Sequence, residues 1–227
     1  MTDLDLQWLE EPASHFQSRR LFYPCSGLDI FDPLNIFLSH IEEFWFVDIA
    51  YHHNCPKLPA TEFRRISQSH QEISGHTLKQ KTPFTISINT SRYLHLATNK
   101  EIVINFCTGR GYDVFRTALR DNKLKLSVFF YRGDSQGASG SGFYWLKQTL
   151  LRYVLQEIEP GGLLVSDGSN AIKAFSSQHR NNTIGKNAIA KSKPFTHHGH
   201  YLLCIGYLGK KNGPTLAWRV QPANCRP

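Results

Sequence analysis

Hydrophobic residues in this chain gather into short runs that stop at turns of small polar residues. The three clearest runs and their turns are residues 21–23 into 24–29, 126–131 into 132–135, and 162–166 into 167–170. Stretches with helical spacing of apolar residues follow at least two of them. Strand–loop–helix units of this kind build open parallel sheets, which bind ligands at the carboxyl ends of their strands. The pattern therefore predicts where a site lies before it indicates what the site does.

The first of these units has a clear helix start. Asp32 accepts hydrogen bonds from free N–H groups at the start of a helix, and Pro33 fits the first helical position. Apolar residues then recur at helical spacing up to Ile41. Residues 44–49 form a short aromatic and β-branched run, which predicts a buried strand. Together these segments predict one βαβ unit.

The middle of the chain mixes helical and strand patterns. Phe63, Ile66 and Ile73 indicate a helix that Gly75 would end. Residues 84–106 alternate apolar and polar positions around a turn at 98–100, which predicts an antiparallel ribbon leading into a central strand. A short helix is predicted between Gly111 and Arg120.

The last third predicts another parallel unit and a closing hairpin. A strand at residues 126–131 precedes a helix with an apolar stripe from Leu146 to Ile158, and a further strand follows at 163–166. Residues 200–207 and 214–220 flank Asn212–Gly213, which favours a tight turn. We therefore predict an α/β fold in which helices flank a Rossmann-like, mostly parallel sheet with a C-terminal antiparallel hairpin. Residues 1–227 would form a single domain, with a polar lead-in over 1–20, including a short helix near residues 6–9, and a long basic loop over 168–199.

The positive charge is concentrated near the C-terminus. The net charge is +8, and no Asp or Glu follows Asp167. The last 60 residues carry nine Lys and Arg, and removing them from 26 leaves 17 bases against 18 acids in residues 1–167. The basic C-terminal region therefore indicates an anionic substrate or nucleic acid as partner. The alternative is a solvated basic face that aids solubility.

Composition narrows the class of protein. Hydrophobic residues make up 41% of the chain, enough for a core, and no apolar run approaches the roughly 18 residues of a membrane span. The N-terminus is acidic and lacks the pattern of a signal peptide. The five cysteines are irregularly spaced, which does not indicate a disulfide framework. We expect a cytoplasmic protein with no membrane segment.

The segment from residue 133 to 142 is the densest chemical signal. It holds four glycines and three serines between a predicted strand and a predicted helix, an arrangement that favours an anion. The alternative is a flexible connection of small residues. Asp134 and Asp167 each end a predicted strand. They would either converge as a carboxylate pair for acid–base work or Mg²⁺ binding, or each cap a local turn.

Two short clusters contain metal-ligand residue types. They are His52, His53 and Cys55, and His197, His198 and His200. Neither has the paired spacing of a structural zinc site, so no metal site is predicted. Cys25 lies in the first turn without an identifiable partner, and we expect it to be an inert thiol.

The order of elements, with Pro160–Gly161–Gly162 before the fifth strand and a terminal antiparallel hairpin, resembles that of class I S-adenosylmethionine-dependent methyltransferases. The resemblance implies that the first loop, with Tyr23, Ser26, Gly27 and Asp29, holds the amino-acid end of the cofactor. It implies that Asp48 binds the ribose hydroxyls; Asp48 lies 21 positions after Gly27, near the spacing of about 20 seen between a glycine loop and its ribose carboxylate. Asp134 or Ser135 would then face the methyl acceptor.

The sequence therefore predicts a methyltransferase-like protein that binds S-adenosylmethionine and an acceptor that the basic C-terminal region attracts. The first loop holds one glycine, Gly27, and the alternative is a non-catalytic nucleic-acid or phosphate-binding component with a degenerate fold of the same type. A nicotinamide-dependent enzyme is a weaker option, because the Gly-x-Gly-x-x-Gly fingerprint is missing.

Overall fold

The computed structural model describes residues 6–12, 16–76, 82–133, 144–168, 172, 175, 193–210 and 214–224. Its strands, numbered along the chain, are β1 (Leu6–Trp8), β2 (Arg20–Pro24), β3 (Glu43–Val47), β4 (Phe63–His76), β5 (Pro83–His95), β6 (Lys100–Thr108), β7 (Leu126–Tyr131), β8 (Ile158–Ser166), β9 (Phe195–His197), β10 (His200–Lys210) and β11 (Pro214–Pro222). Its α-helices are α1 (Phe31–Phe37), α2 (Gly111–Val114), which continues as a π-helical turn over Phe115–Arg120, and α3 (Gln148–Glu157); a 3-10 helix spans Ile49–His52.

The chain divides into two compact units. The middle unit is Arg19–Leu124, and the terminal unit combines Met1–Ser18 with Lys125–Pro227. Each unit has its own strands and buried side chains, so each is described by itself.

In the middle unit the strands lie in the order β2, β3, β6, β5, β4. β2 pairs with β3 and β3 with β6 in parallel, whereas β5 pairs with both β6 and β4 in antiparallel fashion. Pro24 lies opposite Val47, and Val47 lies opposite Cys107. Three parallel strands therefore end side by side, which brings the segments that follow them to the same edge of the sheet.

Aromatic rings fill the core beneath that edge. Phe46 on β3 stacks on Phe106 of β6 with ring centroids 5.9 Å apart, and Tyr51 packs edge-on against Phe106 at 5.6 Å. On the other side, Phe22 of β2 contacts Phe115 of the π-helical turn at 5.4 Å. Edge-to-face and offset-stacked rings add to the stabilisation from burial. The ring of Tyr51 thus extends the core up to the turn that follows β2.

The terminal unit combines one parallel pair with an antiparallel edge. β7 and β8 are parallel, β11 is antiparallel to β8, and β10 is antiparallel to β11, β1 and β9. Three aromatic rings, those of Phe175, Phe195 and Trp218, pack edge-on with centroids 4.9–5.5 Å apart. The predicted C-terminal hairpin is therefore present, and it supplies part of this unit's core.

The buried carboxylate of Glu159 ties the N-terminal segment to the terminal unit. Its Oε1 accepts hydrogen bonds from the backbone N–H of Gln17 at 2.8 Å and from the hydroxyl of Ser127 at 2.6 Å. Its Oε2 accepts from the backbone N–H of Ser18 at 2.8 Å. Three donors on one buried carboxylate offset the cost of removing it from water.

The prediction of a mostly parallel, Rossmann-like sheet flanked by helices is wrong. The structure is mostly β, with 49% strand and 18% helix, and its strand pairing is mixed and mostly antiparallel. Within the two units, three strand pairs are parallel and six antiparallel. The excess includes the pairs formed by β4 and β1, which the sequence predicted as helices, and by β9, which lies in the predicted loop; β5, β10 and β11 were predicted as strands.

The helix predicted from Phe63, Ile66 and Ile73 is the 14-residue strand β4. Three apolar residues at helical spacing are weak evidence for a helix when the polar residues between them also fit a strand. Here the pairing with β5 outweighed the helical spacing. Gly75 does not end a helix. A Cβ at Gly75 would lie 2.8 Å from the Cζ of Phe84 on the paired strand, so the glycine makes room for that ring.

The other predictions about the elements are also partly confirmed and partly wrong. A helix is present in the segment predicted from Asp32–Pro33, but α1 begins at Phe31, with Ile30 and not Asp32 as its N-cap, and it ends at Phe37 rather than near Ile41. The short helix expected near residues 6–9 is strand β1, paired with β10. Most of the predicted loop over 168–199 lies outside the described residues. No helix in the described ranges is both long and apolar enough to cross a membrane.

Candidate functional site

The turn after β2 is held in a conformation that favours glycine. Gly27 has φ +52° and Cys25 has φ +57°, both in the left-handed region. The N–H of Ser26 bonds to the carbonyl of Val47 at 3.1 Å, and the N–H of Asp29 bonds to the carbonyl of Ser26 at 2.9 Å. The turn therefore folds back over the end of β3 and presents its backbone at the edge of the sheet.

The carboxylate of Asp48 organises this edge. Its Oδ2 accepts the N–H of Gly27 at 2.9 Å, and its Oδ1 accepts the N–H of Ala50 at 2.9 Å. The N–H of Asp48 itself bonds to the carbonyl of Cys107 on β6 at 3.1 Å. Asp48 thus links the ends of all three parallel strands. A carboxylate has about four lone-pair sites, so two remain for a ligand.

The hydroxyl of Tyr51 supports the turn from below. It lies 2.6 Å from the Oγ of Ser26 and donates a hydrogen bond to the carbonyl of Gly27 at 2.7 Å. Burial raises the pKa of Tyr51, so the phenol stays protonated and remains a donor. No functional role was predicted for Tyr51 from the sequence, because an aromatic residue beside a buried strand is usually part of the core.

We expect Tyr51→Phe to lower the free energy of unfolding of the middle unit by about 1–2 kcal/mol, because it removes two hydrogen bonds at a buried position. Urea denaturation measures the change. Tyr93→Phe is the matched control, since the half-exposed Tyr93 has only ring packing and no hydrogen bond through its hydroxyl. Equal stability of the two variants would mean that the Tyr51 hydroxyl does not support the turn.

Tyr23 and Asp29, both predicted to contact the cofactor, contact each other. The hydroxyl of Tyr23 donates to the Oδ2 of Asp29 at 2.8 Å. Tyr23 is fully buried and Asp29 is half-buried. Within this pair, Asp29 is the member with access to a ligand, and Tyr23 orients its carboxylate.

An open cleft of about 320 Å³ lies beside this edge. Its lining comes from the segments after β3 and β6 and from the start of β5: Ile49, His52, Pro83, Phe84, Thr85, Ile86, Thr108, Gly109, Arg110 and Asp113. Ile49 directly follows Asp48, and its side chain is 67% exposed although it is apolar. The exposed apolar surface of Ile49 is therefore available for contact with a ligand in the cleft.

Two charged residues of α2 and its entry also line the cleft. Arg110 is exposed, whereas Asp113 is buried, and burial raises the pKa of the Asp113 carboxyl, against the effect of Arg116 and Arg110. A helix was predicted here, but neither residue was predicted to line a site. The sequence feature that could have indicated them is their position after a strand that is parallel to β3.

Asp134 and Ser135, predicted to face the acceptor, lie outside the described residues, as does most of the glycine-rich segment around them. Gly133 is described, and its N–H bonds to the Oδ2 of Asp167 at 2.8 Å. With one of its oxygens, Asp167 therefore links the segment after β8 to the segment after β7. The basic C-terminal region lies largely outside the described ranges, and its anionic partner stays a prediction.

The histidine clusters do not assemble a metal site among the described residues. In that part of the chain there is no group of three or more His, Cys, Asp or Glu side chains that could hold an ion. The described cysteines, Cys25, Cys55, Cys107 and Cys204, are free thiols. Cys25 is half-buried in the turn after β2, and no site is assigned to it.

Comparison with known proteins returned no relative: no family model matches the chain, and no curated protein or solved structure matches it.

Proposed function

We propose that the middle unit binds S-adenosylmethionine at the carboxyl edge of β2, β3 and β6, and that the protein is methyltransferase-like. The observation that carries this proposal is the position of Asp48. Its carboxylate accepts the N–H of Gly27 in the turn after β2, and the residue that follows it, Ile49, lines a cleft of about 320 Å³. A nucleoside needs an acceptor for its ribose hydroxyls next to a pocket for its base, and these two features adjoin here.

We assign the ribose of the cofactor to Asp48 and its base to the cleft. The two lone-pair sites of Asp48 that remain can accept the two ribose hydroxyls. The exposed face of Ile49 offers apolar contact to the adenine ring, and the buried carboxyl of Asp113 offers an acceptor to an exocyclic amino group. The volume falls within the range of roughly 300–1,000 Å³ of small-molecule sites.

We assign the amino-acid end of the cofactor to the turn after β2. A left-handed Gly27 allows close approach of a ligand to the backbone, and the half-buried Asp29 offers a carboxylate to an ammonium group. Methyl transfer then needs an acceptor atom in line with the sulfonium, because the methyl group passes to the acceptor as the sulfur takes the bonding pair. Asp134 and Ser135 remain the residues proposed to face that acceptor.

Calorimetric titration with S-adenosylmethionine and S-adenosylhomocysteine tests the proposal, with Ile49→Asn as the variant. This substitution removes an apolar surface worth about 1–2 kcal/mol when it is buried, so we expect affinity for both ligands to fall about tenfold. Ile49 is exposed, so the fold should not change.

Leu96→Asn is the matched control, because Leu96 is also an exposed apolar residue of the middle unit, at 46%, but lies away from the cleft in the turn before β6. It should bind both ligands as the unaltered protein does. Failure of the unaltered protein to bind either ligand, or equal affinity of the two variants, would remove the assignment.

A further inference from the structure

β4 is unusually exposed for a strand of its length. It spans 14 residues, and of the described strands it pairs with β5 alone. All nine residues from Arg64 to Glu72 are exposed, although their side chains point alternately to the two faces. Edge strands are usually short or covered, because their unpaired N–H and C=O groups recruit other chains. An edge that stays open on both faces is therefore a candidate contact surface.

Charge identifies the kind of partner. Residues 63–95, which contain β4, β5 and their connection, hold five Lys and Arg against one acid, Glu72, a net charge of +4. The whole middle unit holds 13 bases and 10 acids, a net charge of +3. The remainder of the unit thus carries −1, so the positive excess of the unit lies in residues 63–95, of whose five bases Lys79 and Lys81 fall outside the described residues.

The two arginines at the start of β4 are free to bind an anion. Arg64 and Arg65 are exposed, and within the part of the chain that the structure describes neither forms an ion pair or hydrogen bond through its side chain. By contrast, Arg92, opposite Ser67 on β5, is paired with Glu101 at 3.4 Å. The register shifts between Arg65 and Ser67, and such a bulge increases the local twist of the ribbon.

The uncharged side chains of β4 suit a nucleic acid. Beyond the bulge the strand presents Ser67, Gln68, Ser69, His70 and Gln71, which offer hydroxyl, amide and imidazole groups. His70 lies 3.0 Å from the Oδ1 of Asn89 on β5, so the polar character continues across the ribbon. Residues of these types bond to phosphates, sugars and base edges, whereas an acidic protein partner would need only the cations.

We propose that the β4–β5 ribbon is a nucleic-acid-binding surface, with Arg64 and Arg65 contacting phosphates. This differs from the basic C-terminal region in the terminal unit, to which the sequence analysis assigned the anionic partner. Arg64 and Arg65 lie opposite Leu94 and Tyr93 near the end of β5, whereas the start of β5 lines the cleft, so the binding of a nucleic acid at this surface does not rest on the proposed function.

Fluorescence anisotropy with a labelled single-stranded RNA, in the absence of cofactor, tests the proposal. We expect the R64Q/R65Q variant to bind at least tenfold more weakly than the unaltered protein. Each phosphate contact contributes about 0.7 to the salt slope of single-strand binding, so the slope between about 50 and 200 mM salt should fall by about 1.4.

The K57Q/K123Q variant is the matched control, because it also removes two exposed, unpaired cations of the middle unit. Its affinity should stay within about twofold of the unaltered protein. Three results would overturn the proposal: no binding of RNA, equal weakening in both double variants, or a β4-dependent dimer of the chain in light scattering without RNA binding. None of them involves S-adenosylmethionine, so this proposal and the proposed function fail separately.

Discussion

Asp48→Ala should lower the affinity for S-adenosylmethionine by at least a hundredfold. The substitution removes the acceptor for the ribose hydroxyls, and it also releases the N–H groups of Gly27 and Ala50. A bond to a charged group contributes about 1.5–3 kcal/mol, so the ligand contacts alone account for a tenfold to hundredfold loss, and the freed turn adds to it. Calorimetry measures the affinity.

The sequence alone suggests that Asp48→Ala would leave the fold intact, and the contacts of Asp48 show that it will not do so entirely. Loss of a side chain that caps a helix start costs about 0.5–2 kcal/mol, and a second freed N–H adds to this. We therefore expect a measurable fall in the urea midpoint as well. Glu62→Ala removes an exposed carboxylate of the same unit and should change neither property. Undiminished affinity in Asp48→Ala would exclude Asp48 as the ribose ligand.

Glu159→Ala should give the largest loss of stability. Glu159 is 4% exposed and accepts three hydrogen bonds, so its removal strands the N–H groups of Gln17 and Ser18 and leaves the hydroxyl of Ser127 with the Oγ of Ser18, 3.0 Å away, as its partner. At about 1–3 kcal/mol for each unsatisfied group, reduced by local entry of water, we expect a loss of about 3 kcal/mol. Tryptophan fluorescence during urea denaturation reports it, because Trp145 and Trp218 are buried in the terminal unit.

A double-mutant cycle separates the network from simple loss of packing. Ser127→Ala removes one donor to Glu159 and should cost about 1 kcal/mol. If the two residues act through their hydrogen bond, the double variant should lose less than the sum of the single losses. Additive losses, or a loss below 1 kcal/mol in Glu159→Ala, would mean that the carboxylate does not hold the N-terminal segment.

The candidate site shows which of its residues local sequence patterns could predict. Gly27 and Asp48 were found from the glycine of a turn, the acid at the end of an aromatic strand and the spacing between them. The structure brings these two within hydrogen-bonding distance. Tyr51, Ile49 and Asp113 were missed because each is an ordinary residue of its segment. Their importance comes from neighbours distant in sequence, Ser26 for Tyr51 and the start of β5 for the cleft.

The sequence by itself determined the short buried strands, the presence of a helix around Asp32–Pro33, the closing hairpin and the turn at Gly27, since each depends on interactions within a few residues. Only the tertiary structure decided that Phe63–His76 is a strand, that residues 6–8 pair with β10, and that antiparallel pairs outnumber parallel ones. Strand pairing satisfies backbone hydrogen bonds with partners far along the chain, and these partners outweigh a weak helical spacing of apolar residues. The same long-range pairing left the exposed strand β4 at the edge of the middle unit, paired with β5 alone among the described strands.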